Sequence, residues 1–123
     1  MKYLTLEDIK AYQIAYELAN YVWRIVVKWN YFARDTIGKQ YVNAMDSISA
    51  NIAEGFGRYS KSDKTRFYRI SNGSLFESIN WTEKSKTRNL VSQTEYSYIK
   101  ERLDSLPKEI NSLIHFTNTK LLR

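Results

Sequence analysis

The chain has 123 residues, of which 43% are hydrophobic and 26% charged, the size and balance of one globular domain. The absence of cysteine excludes disulfides and thiolate metal sites, and one proline and four glycines are too few for a β-sandwich or barrel, which needs a turn roughly every ten residues. A formal net charge of +6 favours a polyanionic partner.

No segment is typical of export or membrane insertion. The first ten residues, MKYLTLEDIK, include acidic side chains where a signal peptide would have an uncharged apolar run. The most apolar stretch, YVWRIVVKW, is interrupted by Arg24 and Lys28 and is far shorter than the roughly 20 residues of a membrane-spanning helix. We therefore expect a cytoplasmic protein.

The first predicted helix has two neighbouring apolar stripes instead of one. The first stripe comprises Ala11, Ala15, Leu18, Val22, Ile25 and Trp29, and the second comprises Ile9, Tyr12, Tyr16, Ala19, Trp23 and Val26. An apolar arc this wide exceeds the core-facing stripe of a surface helix. Two interpretations remain open: deep burial within the monomer, or contact between the second stripe and another subunit.

The second predicted helix follows the loop NYFARD, in which Asp35 is the expected N-cap. We expect this helix to end at Gly55, with the glycine in the left-handed conformation. Its core positions follow helical spacing, and they are Ile37, Tyr41, Ala44, Ile48 and Ile52.

The third predicted helix begins with a capping box, Ser60 and Asp63, and runs to about Arg88, with Asn89 suited to its C-terminus. In its centre, Gly73 next to a serine would let a neighbouring backbone approach closely, within the monomer or between subunits.

The fourth predicted helix begins with a second capping box, Ser92 and Glu95, and its apolar spacing continues in phase across Pro107. We therefore expect one kinked helix. Four helices with short connections predict an all-α fold, an antiparallel up-down-up-down four-helix bundle that forms a single domain over residues 1–123.

Catalysis and metal binding have little support in the residue types present. His115 is the only histidine, and without cysteine the chain lacks the usual metal sets and nucleophile–histidine pairs. Four polar side chains stand out, and the two carboxylates among them could act as an acid–base pair, but we expect interhelical hydrogen bonds or pairing with basic residues near the elbow instead: Ser47, Asn51, Glu54 and Glu77. We predict a protein that is not an enzyme, with no metal site and no cofactor.

Nearly all the excess positive charge lies in residues 55–88, which hold eight basic and three acidic side chains. We name the first five of these basic residues the basic elbow: Arg58, Lys61, Lys64, Arg66 and Arg69. Tyr59, Phe67 and Tyr68 interleave with them, a combination common in single-strand and RNA binding. We predict phosphate contacts from the five basic residues and base stacking from Tyr59. The alternative is a solvated helix end, since Phe67 and Ile70 have the spacing of core residues.

The patterns SISANIAEGFGRYS and KTRFYRISNGSLFES resemble the bacterial four helix bundle protein family. Its founding members are encoded in intervening sequences of large-subunit ribosomal RNA genes, and some are called ribosomal-protein-like. The motif S-I-x-x-N-I-x-E-G-x-G-R is matched by Ser47, Ile48, Asn51, Ile52, Glu54, Gly55, Gly57 and Arg58. The later R-F and G-S-L-x-E elements are matched by Arg66, Phe67, Gly73, Ser74, Leu75 and Glu77. The chain departs from many members at Ala33–Arg34, where they have a proline.

This resemblance implies a four-helix bundle that assembles as a barrel-like homopentamer, and it brings no catalytic residues. The similar accessory proteins of diversity-generating retroelements bind a reverse transcriptase and nucleic acid. We therefore predict a non-enzymatic oligomer that binds the backbone of RNA or DNA through the basic elbow. The alternative is a structural oligomeric adaptor that binds a protein partner and makes no contact with nucleic acid.

Overall fold

A computed structural model describes residues 4–121 of the chain. Over these residues the chain forms four long helices and no strand, and the helices are α1 (Lys10–Val26), α2 (Lys39–Gly57), α3 (Lys61–Thr87) and α4 (Gln93–Lys120). Both α1 and α3 pack against α2 and α4, so α1 and α3 lie diagonally opposite. Short connections make successive helices antiparallel, which confirms the predicted four-helix bundle.

The core runs along the bundle axis and is built from the predicted apolar stripes. Its fully buried aliphatic side chains come mostly from α1, α2 and α4, and they include Leu18, Val22, Ile48, Ile52, Ile99, Leu103, Leu106 and Ile110. The last helix continues through Pro107 as a single element, as its unbroken spacing predicts. Among residues 4–121, no helix combines the length and hydropathy needed to cross a bilayer.

The third helix presents small polar residues to the core, which the apolar spacing did not predict. Ser71, Ser78, Thr82 and Ser85 are completely buried there. The Ser71 hydroxyl donates to the carbonyl of Ile48 on α2 over 2.8 Å, and the hydroxyls of Tyr41 and Thr82 share a hydrogen bond of 2.7 Å. Small side chains allow α2 and α3 to pack closely, and the hydroxyls of Ser71, Ser78 and Thr82 all have internal partners, whereas that of Ser85 is buried without one.

The predicted role of Gly55 is wrong. The glycine does not adopt a left-handed conformation, and α2 continues to Gly57. Gly55 is buried at the contact between α2 and α3, where a Cβ would lie 2.7 Å from Cε1 of Tyr68 and 2.9 Å from the carbonyl oxygen of Lys64. Glycine is needed here because the two helices approach so closely. Burial raises the pKa of Tyr68 to about 12.

The predicted N-cap of the second helix is also wrong. Asn30, not Asp35, is the cap, and its Oδ1 accepts a hydrogen bond of 3.0 Å from the backbone N–H of Ala33. A helical turn at Tyr31–Ala33 leads into a π-helical turn at Arg34–Gly38, which continues into α2. Asp35 lies inside the π-helical turn and pairs with Lys39 at 3.0 Å. The predicted loop is therefore helical.

The other predicted signals do mark helix ends, although only half of the capping box predicted at Ser60 and Asp63 forms. Ser60 accepts from the backbone N–H of Asp63 over 3.1 Å, and Ser92 and Glu95 form a complete capping box. Asn89, with φ of 59°, ends α3 in the left-handed conformation. The backbone N–H of Leu90 then donates to the carbonyl of Ser85 over 2.8 Å, which closes a Schellman motif.

The second stripe of α1 is divided between the core and the surface. Ala19 and Val26 are buried, whereas Tyr16 and Trp23 are 53% and 54% exposed. Gly73 of α3, expected to admit a neighbouring backbone, has open space around it within the monomer. Close approach within the monomer is therefore the wrong interpretation for Gly73.

Candidate nucleic-acid interface

The basic elbow lies where the chain leaves α2 and enters α3, and it is organised around the ring of Phe67. The guanidinium carbon of Arg58 lies 4.6 Å from the ring centroid, and that of Arg66 lies 4.5 Å from it. Arg58 is extended, with φ of −77° and ψ of 156°, so its side chain returns over the first turns of α3. Cation–π contacts of this kind hold two positive groups together at the turn.

Two carboxylates accompany these arginines. The Nε of Arg58 lies 3.3 Å from a carboxylate oxygen of Glu54, but out of line for a hydrogen bond. Arg66 lies 3.6 Å from Asp63. All four side chains are about half exposed, so each pair contributes at most about 1 kcal/mol to stability. Pairs this weak leave both guanidinium groups available to a phosphate.

The two lysines of the elbow are hydrogen-bonded to the ends of other helices. Lys64 donates from Nζ to the carbonyl of Phe56 over 2.7 Å, and Lys61 donates to the carbonyl of Asn118 over 3.2 Å. Cations at these positions complement the negative ends of α2 and α4. Burial lowers the pKa of Lys64, because desolvation disfavours its charged form.

Arg69 and Tyr59 are the most open members of the candidate site. The Arg69 side chain is exposed and makes no hydrogen bond or ion pair within residues 4–121, and Tyr59 is 72% exposed. The structure thus brings Arg58 and Arg66 together on Phe67 and leaves Arg69 free on the first turns of α3. It assigns Lys61 and Lys64 a structural contact as well as a charge.

The polar residues of the family motif make local contacts. Ser47 donates to the carbonyl of Asn43 over 2.7 Å, and the Asn51 side chain donates to the carbonyl of Ser47 over 2.8 Å. Glu54 forms an ion pair with Arg58, one of the two kinds of contact that we expected. Ser47 and Asn51 make hydrogen bonds within α2 in place of the interhelical bonds expected of them. Glu77 is exposed on α3.

A second basic cluster lies at the far end of α3, about 27 Å from Arg66 to Lys84 at 1.5 Å per residue. Lys84 lies 4.9 Å from the ring centroid of Trp81, and Lys86 lies 5.1 Å from that of Tyr96.

No group of three or more histidine, aspartate or glutamate side chains suited to a metal ion occurs in residues 4–121. His115 is exposed near the end of α4.

Sequence reasoning missed the part that Phe67 plays. Its spacing suggested a core residue, but the ring is half-buried and two guanidinium groups contact it. The available signal was the placement of Arg66 directly before an aromatic residue. That pattern becomes meaningful only once Arg58 is folded back onto the same ring.

A profile of the 23S rRNA-intervening sequence protein family matches residues 7–112. The chain belongs to this family. Among solved structures, it is similar to a protein of unknown function from the S23 ribosomal protein family of Bacteroides thetaiotaomicron VPI-5482, with a TM-score of 0.75 and 20% identity. The similarity covers 85% of this chain and 97% of that one, and at this identity it shows the fold alone. A comparison with curated proteins found no match.

The motif residues that the chain shares with the 23S rRNA-intervening sequence protein family lie in α2, in the elbow and in α3. The matched range, residues 7–112, includes α2, α3 and the turn between them, and therefore both arginines on Phe67.

Proposed function

We propose that this protein is a non-enzymatic, single-domain oligomer that binds the phosphate backbone of nucleic acid through the basic elbow. The observation that carries the proposal is the pair of guanidinium groups, those of Arg58 and Arg66, that both lie within 4.6 Å of the centroid of the Phe67 ring. Arg58, Arg66 and Arg69 make the phosphate contacts in this proposal. Lys61 and Lys64 add positive potential from fixed positions at the helix ends.

Charge and shape support backbone binding in preference to base reading. Arginine presents several N–H donors in a planar group that matches a phosphate, whereas lysine acts as a point charge. Nothing in the elbow resembles a base-reading module, so in this proposal its contacts position the nucleic acid without specifying a sequence. The exposed ring of Tyr59 also suits unpaired bases, which favours structured RNA with loops.

Two exposed apolar patches support the proposed oligomer. The α1 patch comprises Tyr16, Trp23 and Val27, and the α3 patch comprises Ile70, Gly73 and Phe76. Because α1 and α3 are diagonally opposite, the patches face different sides of the bundle. Contact between the α1 patch of one copy and the α3 patch of the next is head-to-tail, and such contacts close into rings when the rotation permits. We propose five subunits in the ring, the number implied by the family resemblance.

The proposed location is the cytoplasm, the compartment in which RNA is available to a basic surface. A ring presents several elbows together, and linked weak contacts raise the overall affinity for one long polyanion. Shape-dependent binding of this kind requires no cofactor.

The test is binding of the purified protein to a structured RNA and to a matched DNA duplex, measured by fluorescence anisotropy across a salt series. We expect log K to fall linearly with log salt, by roughly 0.9 per phosphate neutralised on the duplex. The double variant Arg66→Glu, Arg69→Glu should bind more weakly, and the slope of log K against log salt should become shallower by the equivalent of about two phosphate contacts. The matched control reverses the exposed Arg34 and Lys108, which lie outside the elbow and both apolar patches and change the net charge equally.

An equal loss of affinity in the control variant would mean that the total charge of the protein, and not the elbow, drives binding. An absence of binding at low salt would refute the proposal. The remaining candidate would then be the protein-binding adaptor, for which the two apolar patches would be the contact surfaces.

A further inference from the structure

A cavity of about 720 Å³ lies at the end of the bundle opposite the elbow, open on one side. It is bounded by the π-helical turn Arg34–Gly38 with its flanking residues and by the last turns of α3. Its volume falls within the range typical of small-molecule sites. Isolated π-helical turns occur often at functional sites, because the extra residue changes the direction of the side chains that follow.

The cavity combines aromatic surface with polar groups that lack partners. Trp81 and Phe32 line it, and the Trp81 Nε1 is buried without a hydrogen-bond partner in the described chain. A ligand acceptor that reached this indole N–H would satisfy a donor that is otherwise unpaired. Phe32 is 76% exposed, so its ring is open to a ligand packed against it.

Two amides and two cations also border the cavity. Asn30 uses its Oδ1 to cap the helical turn, so its amide N–H groups are free. The side chains of Gln40 and Arg88 make no hydrogen bond or ion pair within residues 4–121. Asp35 is already paired with Lys39 at the rim, so the uncompensated charge at the cavity is the positive charge of Arg88.

We propose that this cavity binds a single nucleotide, with the base against Trp81 and the phosphate at Arg88. A planar ring with hydrogen-bonding edges uses the aromatic surface and the side-chain amides, since these groups pair readily with base edges. A phosphate uses the unpaired guanidinium. Neither an uncharged lipid nor a simple anion would use all three kinds of group. The site is separate from the elbow and does not depend on its function.

The same chemistry is present in a free nucleoside monophosphate and in an unpaired nucleotide of a strand. The experiment therefore titrates ¹⁵N-labelled protein with AMP, UMP, adenosine and a short single-stranded RNA, and follows the indole N–H resonances of the tryptophans by NMR. Trp81→Phe assigns the resonance at the site. The elbow variant Arg66→Glu, Arg69→Glu is titrated in parallel, so that contacts at the elbow are not mistaken for contacts at the cavity.

If the site takes a free nucleotide, we expect AMP or UMP to shift the Trp81 resonance. If the nucleotide comes from a strand, only the RNA should shift it. In either case the shift should be the same in the wild type and in the elbow variant. Arg88→Gln should weaken binding of the phosphate-bearing ligand about tenfold and leave adenosine unchanged. The matched control Lys10→Gln removes an exposed charge at the start of α1, away from the cavity, and should leave the affinity for every ligand unchanged. No shift of the Trp81 resonance with any of the four ligands at millimolar concentration would overturn the proposal.

Discussion

Gly55 and Gly73 both lie inside helices, but their surroundings differ completely. A Cβ at Gly55 would meet the ring of Tyr68 at 2.7 Å and the backbone of Lys64 at 2.9 Å, whereas nothing lies within 4 Å of a Cβ at Gly73. The same residue type therefore serves close helix packing at one position and leaves a helix surface open at the other. Substitutions with alanine separate these two roles.

We expect Gly55→Ala to lower the free energy of unfolding by about 1 to 3 kcal/mol, because the close backbone contact between α2 and α3 cannot move aside as a flexible side chain would. Gly73→Ala is the control and should raise the monomer's free energy of unfolding by up to about 1 kcal/mol, the gain in helix propensity. Urea denaturation of both variants measures these changes. A fully stable Gly55→Ala variant would contradict the packing role of this glycine.

The helix ends show how short segments direct the longer elements. The turn after α3 is held by the left-handed Asn89 and by two backbone hydrogen bonds to the last turn of that helix. Trp29 strengthens it from the α1–α2 connection, since its indole Nε1 donates to the carbonyl of Leu90 over 2.9 Å. This arrangement turns the chain so that Val91 is buried and α4 begins antiparallel to α3.

We expect Asn89→Val to lower the free energy of unfolding by about 1 to 2 kcal/mol, because a β-branched residue is strained at φ of 59°. Asn89→Gly should be neutral or slightly stabilising, since glycine adopts this conformation without strain. Asn111→Val, at an exposed position in α4, controls for the lower helix propensity of valine and should change stability by a few tenths of a kcal/mol. Equal losses for Asn89→Val and Asn89→Gly would show that the side chain, not the backbone conformation, is what matters there.

Several large aromatic side chains lie exposed on the surface of the bundle and not in its core. The α1 and α3 patches face different sides, and the elbow and the cavity lie at opposite ends, so a ring built from the two patches would leave both ends accessible. Assembly and ligand binding would then use separate surfaces. This separation is what makes each proposal testable without disturbing the others.

We expect wild-type protein to sediment as a closed oligomer, and we expect Trp23→Glu and Phe76→Glu each to disrupt it by placing a charge in the interface. A mixture of the two variants retains one intact pair of patches, and it should therefore form heterodimers that cannot close into a ring. Sedimentation equilibrium distinguishes these species. Tyr31→Glu, at an exposed aromatic outside both patches, is the control. A monomeric wild type, or a mixture that stays monomeric, would contradict head-to-tail assembly.

Much of this architecture could be predicted from local sequence signals. The four helices, the caps at Ser60 and Ser92, the left-handed suitability of Asn89 and the continuity of α4 across Pro107 all follow from spacing and capping within a few residues. The exceptions are the start of the second helical segment and its predicted end at Gly55. At the start, Asp35 is a residue type suited to capping, but in the folded chain Asn30 is the cap and Asp35 lies inside the π-helical turn.

The sequence by itself determined the number and extent of the helices, the bundle and the concentration of charge at the elbow, because these depend on periodicity and composition. Only the tertiary structure decided the roles of individual side chains, because their partners come from distant parts of the chain. Lys61 reaches Asn118, 57 residues away, and becomes a helix cap. Gly55 becomes a packing residue because Tyr68 lies against it. The cavity at Trp81 likewise exists only where two helix ends meet, so no local pattern could have indicated it.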